Sequence, residues 1–410
     1  MIDTEERRRA REKCERLLRL PSVLGVLEDE LRQQGFAGPT DVPKLVLLCL
    51  YTRFLEKPVS LVIKGPSGSG KSHALHAGLQ FAPREAFEEF SGMSEKALLY
   101  MNDLNLKHRY LVIGEAAGLS DGAGRAFLRQ LLSEGTVRYA TVQKTSDGLV
   151  GQELRPIEGP TGLIMTTTAN ALHLEDESRM LSYHLDESFE RIREALVSQA
   201  LGLKSIRRPL DTEPWYSLHD FVGSGNVSVD IPYAEVLANK LPLSHFKVMR
   251  DFPHVLSLIQ AHALMHQCGR HQGEAGHVVA TLEDYRAVYD LVASPLAQGL
   301  EAAVSEQVRG VVEAVRALLK TEQPIPLWET QGVSQVQLSE ALDRDQSVIS
   351  RNVRKAVEQG FLKNLSPGQG REARLVIGER KLPSGTVLPS PEELQNEMNP
   401  PARVRTFMPF

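Results

Sequence analysis

Apolar residues along the chain follow two patterns, short continuous runs of buried-strand type and longer stretches with helical spacing. The apolar runs lie at 59–63, 109–115 and 161–170. The helical stretches lie at 4–20, 42–55, 73–77, 125–132, 187–201, 233–240, 246–268 and 284–291. Buried strands that alternate with helices are typical of a parallel sheet covered by helices, so the pattern predicts an α/β fold. Prolines and glycines predict a loop over 209–232.

Two further segments are predicted to contain paired strands. Residues 136–157 alternate polar and apolar positions around Ser146-Asp147-Gly148, and Asp-Gly between such runs predicts a hairpin. Near the C-terminus, helices at 305–320, 335–343 and 346–359 precede short strands at 361–365 and 373–377. This order predicts a winged helix-turn-helix. The proline-rich residues 381–410 are expected to be poorly ordered.

Composition narrows the class of protein. Hydrophobic residues make up 42% and charged residues 24% of the 410 positions, which is typical of a globular protein of more than one domain. The three cysteines, Cys14, Cys49 and Cys268, are far apart and predict neither a disulfide framework nor a zinc ribbon. The N-terminus has no signal-peptide pattern and no apolar run could span a bilayer. We therefore expect a cytoplasmic protein without a membrane partner.

The chemistry is centred on the segment that follows the first apolar run. Its pattern is G-x-x-x-x-G-K-S, with the residues Gly65, Pro66, Ser67, Gly68, Ser69, Gly70, Lys71 and Ser72. Such a loop between a strand and a helix aims backbone N–H groups at phosphate oxygens, and the helix N-terminus adds its positive dipole end. Lys71 would contact the β- and γ-phosphates, and Ser72 would ligate Mg²⁺. The sequence therefore predicts binding of a nucleoside triphosphate.

Two more apolar runs end in groups suited to phosphate chemistry. Glu115 follows the second run and could polarise an attacking water, although Gly114 stands where an Asp is usual. Glu115 is then a magnesium ligand as well, or water replaces the missing acid. Thr168 and Asn170 end the third run, where they could contact the γ-phosphate. Arg179 suits phosphate recognition from a neighbouring subunit, or it forms a surface ion pair.

Candidate DNA contacts lie in the hairpin and in the winged helix. The hairpin offers Arg138 and Lys144, although a plain surface hairpin is the alternative. The second helix of the winged motif has an apolar face and leaves polar and basic residues outward, and Arg371 lies in the wing. The outward residues are Ser347, Ser350, Arg351, Arg354 and Lys355. Contacts with protein alone are the alternative for this motif.

Two other features carry weaker hypotheses. His262 and His266 share a helix face at i, i+4 and could hold a metal ion, although no carboxylate partner is evident from the sequence. The charges at 5–9 could contact nucleic acid or form a solvated helix face.

Taken in order, these motifs resemble those of an AAA+ ATPase. More narrowly, the chain is similar over roughly residues 40–378 to the MCM-like, pre-sensor II insertion helicases that initiate replication of bacterial mobile genetic elements. The resemblance implies that ATP is hydrolysed at the P-loop and Glu115. It also implies the roles of sensor 1 for Asn170 or Thr168, trans arginine finger for Arg179 and sensor 2 for Arg250. The separate N-terminal collar domain of archaeal and eukaryotic relatives is not expected.

From the resemblance we expect a helical segment over 1–40, an AAA+ core with a helical lid over 41–300, a winged helix over 301–380 and a tail over 381–410. The implied function is that of a hexameric DNA helicase in replication. It would use ATP and Mg²⁺, and its hairpin would grip single-stranded or forked DNA through Lys144. One alternative is an ATP-dependent DNA-binding switch, loader or regulator that does not unwind DNA. Another is a nucleotide-binding assembly protein without a nucleic-acid role.

Overall fold

The computed structural model divides the chain into two compact units. It describes residues 4–92, 101, 105–114, 123–138, 140–145, 148–153, 156–168, 179–185, 189–202, 209–242, 247–274, 276–302, 304–321, 332–366, 373–382 and 387–398. The first unit comprises residues 1–240, 249–295 and 388–410, and the second comprises 241–248 and 296–387.

The helices and strands are numbered here in chain order over the described residues. The helices are α1 Thr4–Arg19, α2 Val23–Gln33, α3 Asp41–Tyr51, α4 Lys71–Leu79, α5 Ala123–Glu134, α6 Phe189–Gly202, α7 Glu213–Gly223, α8 Ala234–Lys240, α9 Lys247–Met265, α10 Leu282–Ala302, α11 Glu306–Thr321, α12 Gln335–Leu342, α13 Gln346–Glu358 and α14 Pro391–Met398. The strands are β1 Leu61–Lys64, β2 Phe87–Phe90, β3 Arg109–Ile113, β4 Thr136–Val137, β5 Ala140–Thr145, β6 Gly148–Glu153, β7 Ile157–Glu158, β8 Thr161–Thr167, β9 Leu181–His184, β10 Val229–Asp230, β11 Val278–Val279, β12 Leu362–Asn364 and β13 Leu375–Ile377. Short 3₁₀ turns lie at Thr52–Phe54, Arg84–Ala86 and Gln267–Gly269.

The first unit is built on a five-stranded parallel sheet with the order β2-β3-β8-β1-β9. The central strands β1 and β8 are fully buried, which explains why they read as continuous apolar runs. One sheet face packs against α5 through a cluster of buried apolar side chains that includes Val62, Leu111, Met165 and Leu131. The predicted α/β fold is confirmed.

The N-terminal helices and α7 belong to the same unit as the sheet, and α1 packs against α7. Our prediction of a loop over 209–232 is wrong for Glu213–Gly223, because these residues form α7. Pro214 lies in the first helical turn, where its missing N–H costs nothing, so it starts the helix instead of breaking it. Trp215, Leu218 and Phe221 form its buried face. The apolar periodicity was therefore a better guide here than the prolines.

The predicted hairpin is present and has two ladders. β4 pairs with β7, and β5 pairs antiparallel with β6 up to Thr145 opposite Gly148. Gly148 of the predicted Asp-Gly turn is therefore the first residue of β6. Residues 146–147 themselves lie outside the described residues.

The second unit contains the elements of the predicted winged helix. α11, α12 and α13 surround an apolar core that includes Val315, Leu338, Ile349 and Phe361, and β12 pairs antiparallel with β13. Ser334 begins α12 with a capping box in which its hydroxyl accepts from the N–H of Gln337.

The C-terminal residues differ from the expected disordered tail. Residues 391–398 form α14 in the first unit, where Leu394 is buried and the Tyr285 hydroxyl donates to the Pro389 carbonyl at 2.6 Å. A buried apolar contact and a buried hydrogen bond hold this segment despite its prolines. Residues 399–410 lie outside the described part of the chain. Among the described helices, none combines the length and the hydrophobicity that crossing a membrane requires.

Candidate nucleotide-binding site

The three predicted site segments that follow β1, β3 and β8 all begin at the carboxyl edge of the sheet. Lys64 at the end of β1 pairs with Thr167 at the end of β8, and Ile113 at the end of β3 pairs with Met165. Gly65, Gly114 and Thr168 each follow their strand directly, and Thr168 is exposed. Because the carboxyl ends of parallel strands form one edge, the sheet brings these three positions together.

The P-loop has the backbone that its glycines predict. Gly68 and Gly70 have φ of +81° and +84°, a conformation that favours glycine, and no atom lies within 4 Å of where a Cβ would stand on either residue. Gly70 caps α4, which begins at Lys71. The loop therefore leads directly into the N-terminus of α4, where the positive end of the helix dipole lies. The residues present fit a polyphosphate.

Lys71 is buried within this loop. Its ammonium nitrogen donates to the carbonyl oxygens of Gly65 at 2.8 Å and Pro66 at 2.6 Å. The charged group is therefore held by oxygens of the loop itself, and an anion bound in the loop would compete with these carbonyls for it. Ser72 follows in the first turn of α4.

Gly114 is fixed by its neighbours on both sides. Its N–H donates to the Phe90 carbonyl at 2.9 Å, and its carbonyl accepts from the Thr166 hydroxyl. A Cβ on Gly114 would meet its nearest neighbour, the Ser91 carbonyl oxygen, at an ordinary distance of 3.5 Å. Packing around the Cβ position therefore does not exclude a side chain where the usual Asp is missing. Glu115 and Asn170 lie outside the described residues, so their roles remain predictions.

A pocket of about 570 Å³ is lined by residues of α1, of the 3₁₀ turn Thr52–Phe54 and of α7, and a second pocket of about 450 Å³ opens beside α4. In the second pocket, the Phe36 and His73 rings stack with centroids 5.1 Å apart. Its other lining residues are Leu31, Gln34, Gly35, His76, Ala77, Gln80, Pro209 and Leu210. His73 comes two residues after Lys71, so this pocket adjoins the P-loop helix. The sequence analysis missed these residues because they come from three distant segments.

The two predicted arginines, Arg179 and Arg250, are both exposed. Arg179 is exposed, donates to the Ser133 hydroxyl and precedes β9, whose first residue Leu181 pairs with Leu61 at the start of β1. It therefore lies at the sheet edge opposite the P-loop. Its action on a neighbouring subunit remains a prediction. Arg250 is exposed in the first turns of α9, and its sensor role also remains a prediction.

The predicted DNA contacts are divided between the two units. Arg138 is exposed between β4 and β5, and Lys144 belongs to β5, although its side chain is outside the description. On α13, Arg351, Arg354 and Lys355 are exposed and Ser350 is half-buried. The opposite face of α13 buries Ile349, Val353 and Ala356, in agreement with the predicted orientation. Arg371 lies outside the described residues, so all these contacts remain predictions.

His262 of α9, which lies beside His266 just after the helix, has a carboxylate partner that the sequence did not reveal. Asp284 of α10 accepts from His262 Nδ1 at 2.7 Å and from Arg270 Nη2 and Nε at 2.7 and 2.9 Å. His266 uses its Nδ1 on the His262 carbonyl and its Nε2 on the Val23 N–H. Potential ligand atoms of His262, His266 and Asp284, all three buried, lie within 4.8 Å of one another. His262 Nδ1, both ring nitrogens of His266 and both carboxylate oxygens of Asp284 are engaged in hydrogen bonds, and Asp284 also pairs with Arg270. We therefore interpret the cluster as a structural network.

Comparisons with known proteins give limited further information. No family model matches the chain, and no curated protein matches it. Among solved structures, it is similar to one described as "SCCmec type IV Cch - active helicase", with a TM-score of 0.36 and 13% sequence identity. That match covers 84% of this chain and 71% of the other. The chain has an α/β fold, and the strand order of its parallel sheet is typical of a P-loop ATPase core.

Proposed function

We propose that this protein is a magnesium-dependent ATPase that acts on DNA. The observation that carries the proposal is the P-loop at the carboxyl edge of the parallel sheet, with Lys71 buried among its own loop carbonyls. A lysine at this place, followed by a helix N-terminus, suits the β- and γ-phosphates of a nucleotide.

The roles of the site residues follow from their chemistry. Backbone N–H groups of the loop would bind phosphate oxygens, and Lys71 would neutralise charge on the terminal phosphates. Ser72 and Glu115 offer the oxygen ligands that Mg²⁺ prefers, and bound Mg²⁺ would neutralise phosphate charge during transfer to water. Glu115 would also orient and deprotonate that water. The base would occupy the pocket lined by Phe36 and His73, where ring stacking is available.

The finer proposal is that ATP hydrolysis drives DNA unwinding by a ring of subunits. Arg179 precedes β9 and lies at the edge of the sheet opposite Lys71. This separation favours an action of Arg179 on the nucleotide of a neighbouring copy. The hairpin of β5 and β6 would grip one strand through Lys144, and α13 with Arg351, Arg354 and Lys355 would contact duplex. Strand separation costs about 1.4 kcal/mol per base-pair step, which hydrolysis must supply.

ATPase assays of the wild type and Lys71→Ala test the nucleotide proposal. We expect the substitution to abolish hydrolysis. The matched control is Lys57→Ala, which removes an exposed lysine before the start of β1 and should retain wild-type activity. A wild-type protein that never hydrolyses ATP, or Lys71→Ala with full activity, would contradict the site assignment.

Strand displacement on 3′- and 5′-tailed forks tests the helicase proposal. Lys144→Ala should retain ATPase activity and lose unwinding, whereas Gln143→Ala, one residue away on the opposite face of β5, should retain both. Hydrolysis that DNA stimulates without any strand displacement would favour the switch or loader. Loss of all DNA binding at low salt would favour a nucleotide-binding assembly protein.

A further inference from the structure

The pocket of about 570 Å³ that is lined by α1, the 3₁₀ turn Thr52–Phe54 and α7 is rich in charged groups. Its volume is in the range of pockets that bind small molecules. Four cationic and two acidic side chains line it, so the lining carries a formal charge of +2. The cationic residues are Arg7, Arg9, Lys13 and Arg53, and the acidic residues are Glu6 and Asp220. The pocket therefore favours an anionic occupant.

Two of these cations lack an acidic partner. Arg9 and Lys13 form ion pairs at 3.2 and 2.9 Å on the exposed part of α1. Arg7 and Arg53 are half-buried, and neither forms an ion pair with a carboxylate that the structure describes. Burial lowers the pKa of the Arg53 guanidinium, although Asp220 lies near enough to oppose that shift. A charge taken partly out of water is costly without a counter-charge, and an anion in the pocket would supply it.

Both guanidinium groups are already held in place. Arg7 Cζ lies 5.0 Å from the centroid of the Phe221 ring, and its Nη2 donates to Gln267 Oε1 at 3.2 Å. Arg53 Cζ lies 4.2 Å from the centroid of the Phe54 ring, and its Nη1 donates to a backbone carbonyl at 3.2 Å. The Nε of each arginine is buried and has no hydrogen-bond partner within the described part of the chain. Binding of an oxyanion would therefore cost little side-chain ordering.

His219 is a fully buried part of the same lining. Its ring stacks on Tyr51 with centroids 4.1 Å apart, and neither ring nitrogen has a hydrogen-bond partner among the described residues. Burial lowers the pKa of His219 well below its ordinary 6.5, so the ring is neutral at pH 7 and offers one N–H donor. Buried polar groups nearly always have a partner. Ordered water could satisfy this ring, but it would not balance the charge of Arg7 and Arg53.

We propose that this pocket is a second anion site, which binds a small ligand through its phosphate group. Guanidinium groups match the geometry of phosphate oxygens, and a doubly charged phosphate matches the net charge of the lining. The volume suits a phosphate monoester of the size of a nucleotide. All lining residues lie within 6–13, 53–54 and 217–224, outside the P-loop. The inference therefore goes beyond the proposed function and does not involve Lys71.

Calorimetric titration with AMP, at low salt and without Mg²⁺, tests the proposal, because AMP lacks the β- and γ-phosphates that Lys71 would contact. Lys13→Glu reverses an exposed charge of the lining and should weaken AMP binding about 3- to 10-fold. Arg53→Gln removes a guanidinium and should weaken it about 10- to 100-fold. The matched control is Arg16→Glu, which makes the same charge change on an exposed residue of α1 outside the lining. Arg16→Glu and Lys71→Ala should both bind AMP like wild type.

Competition identifies the group that is recognised. Inorganic phosphate should displace AMP, whereas acetate at the same concentration should not. AMP that phosphate fails to displace, or that acetate displaces equally well, would overturn the assignment of a phosphate ligand. If AMP does not bind but an oligonucleotide binds in a manner that depends on Lys13, the pocket is a DNA contact and the proposal fails.

The variants also decide whether the pocket is the place of binding. Absence of AMP binding to the wild type, equal losses in Lys13→Glu and Arg16→Glu, or a loss in Lys71→Ala alone would overturn the proposal. Thermal unfolding checks that each variant is folded, and Lys13→Glu gives the answer if Arg53→Gln is not. Because AMP binding needs no hydrolysis, a protein without ATPase activity would contradict the proposed function and leave this inference standing.

Discussion

A Cβ on Gly78 would lie 2.7 Å from the Cβ of Val46, so α3 and α4 touch at a point that no side chain on Gly78 could occupy. The Pro43 carbonyl oxygen would also lie only 2.8 Å from that Cβ. Pro43 and Val46 both belong to the buried face of α3. This face cannot shift without disrupting the close packing between α3 and the P-loop helix α4.

We predict that Gly78→Ala destabilises the protein by about 1–3 kcal/mol, because overpacking outweighs the gain in helix propensity. The matched control is Gly310→Ala in α11, where no neighbouring atom lies within 4 Å of the added Cβ. That control should stabilise its helix by about 0.5–1 kcal/mol. Urea unfolding of both variants provides the measurement, and a Gly78→Ala variant as stable as wild type would refute the close contact.

Because Gly68 has a positive φ, we predict that Gly68→Ala weakens ATP binding although the added Cβ meets no neighbouring atom. Gly68→Ala places a Cβ in open space but holds an alanine at φ +81°, which costs about 1–2 kcal/mol. If the loop relaxes to avoid this strain, its amides turn away from the phosphates, and ATP affinity should fall about 5- to 30-fold. Gly92→Ala, at an open position without positive φ, should bind ATP like wild type. Calorimetric titration of both variants with Mg-ATP would measure the difference.

Asp284 is the acceptor at the centre of the buried network between α9 and α10. Asp284→Asn removes the charge that pairs with Arg270 while keeping the shape, and leaves that guanidinium partly buried without a counter-charge. We expect a loss of about 3–5 kcal/mol of stability. The neighbouring Glu283→Gln breaks an exposed pair with Arg286 and should cost less than about 1 kcal/mol. Equal effects in chemical denaturation would show that the network is not buried as described.

Stability is expected to fall in mild acid because of His266. Burial, followed by the nearby His262, lowers the pKa of His266 from its ordinary 6.5 to about 4. The unfolded chain therefore binds a proton more readily, and the stabilisation that is complete above pH 6.5 is lost as the pH falls toward 4. This contribution is about 3 kcal/mol. Burial also lowers the pKa of His219, which adds in the same direction.

His266→Gln tests this pH dependence. A glutamine amide can accept from the Val23 N–H and donate to the His262 carbonyl, but it does not titrate between pH 4 and 8. The free energy of unfolding, measured between pH 4 and 8, should therefore fall less steeply in His266→Gln than in wild type. Parallel curves for the two proteins would exclude His266 as the source.

Several features were predictable because their causes are local. The P-loop pattern, the apolar runs of β1, β3 and β8 and the face of α13 each follow from spacing within about ten residues. The helix α7 was missed because prolines and glycines were given more weight than the positions of Trp215, Leu218 and Phe221. Pro214 is compatible with a helix only in the first turn, and that position depends on where the helix begins.

The sequence by itself determined the α/β class, the P-loop pattern between β1 and α4 and the positions of many of the helices and strands, because strand runs, helix periodicity and glycine spacing are properties of consecutive residues. Only the tertiary structure decided that Thr166 holds the Gly114 carbonyl, that Asp284 joins His262 to Arg270 and that Arg179 starts from the edge opposite Lys71. These relationships join segments that are far apart in the chain. They depend on strand order and register, which hydrophobic patterning constrains only weakly across long connections.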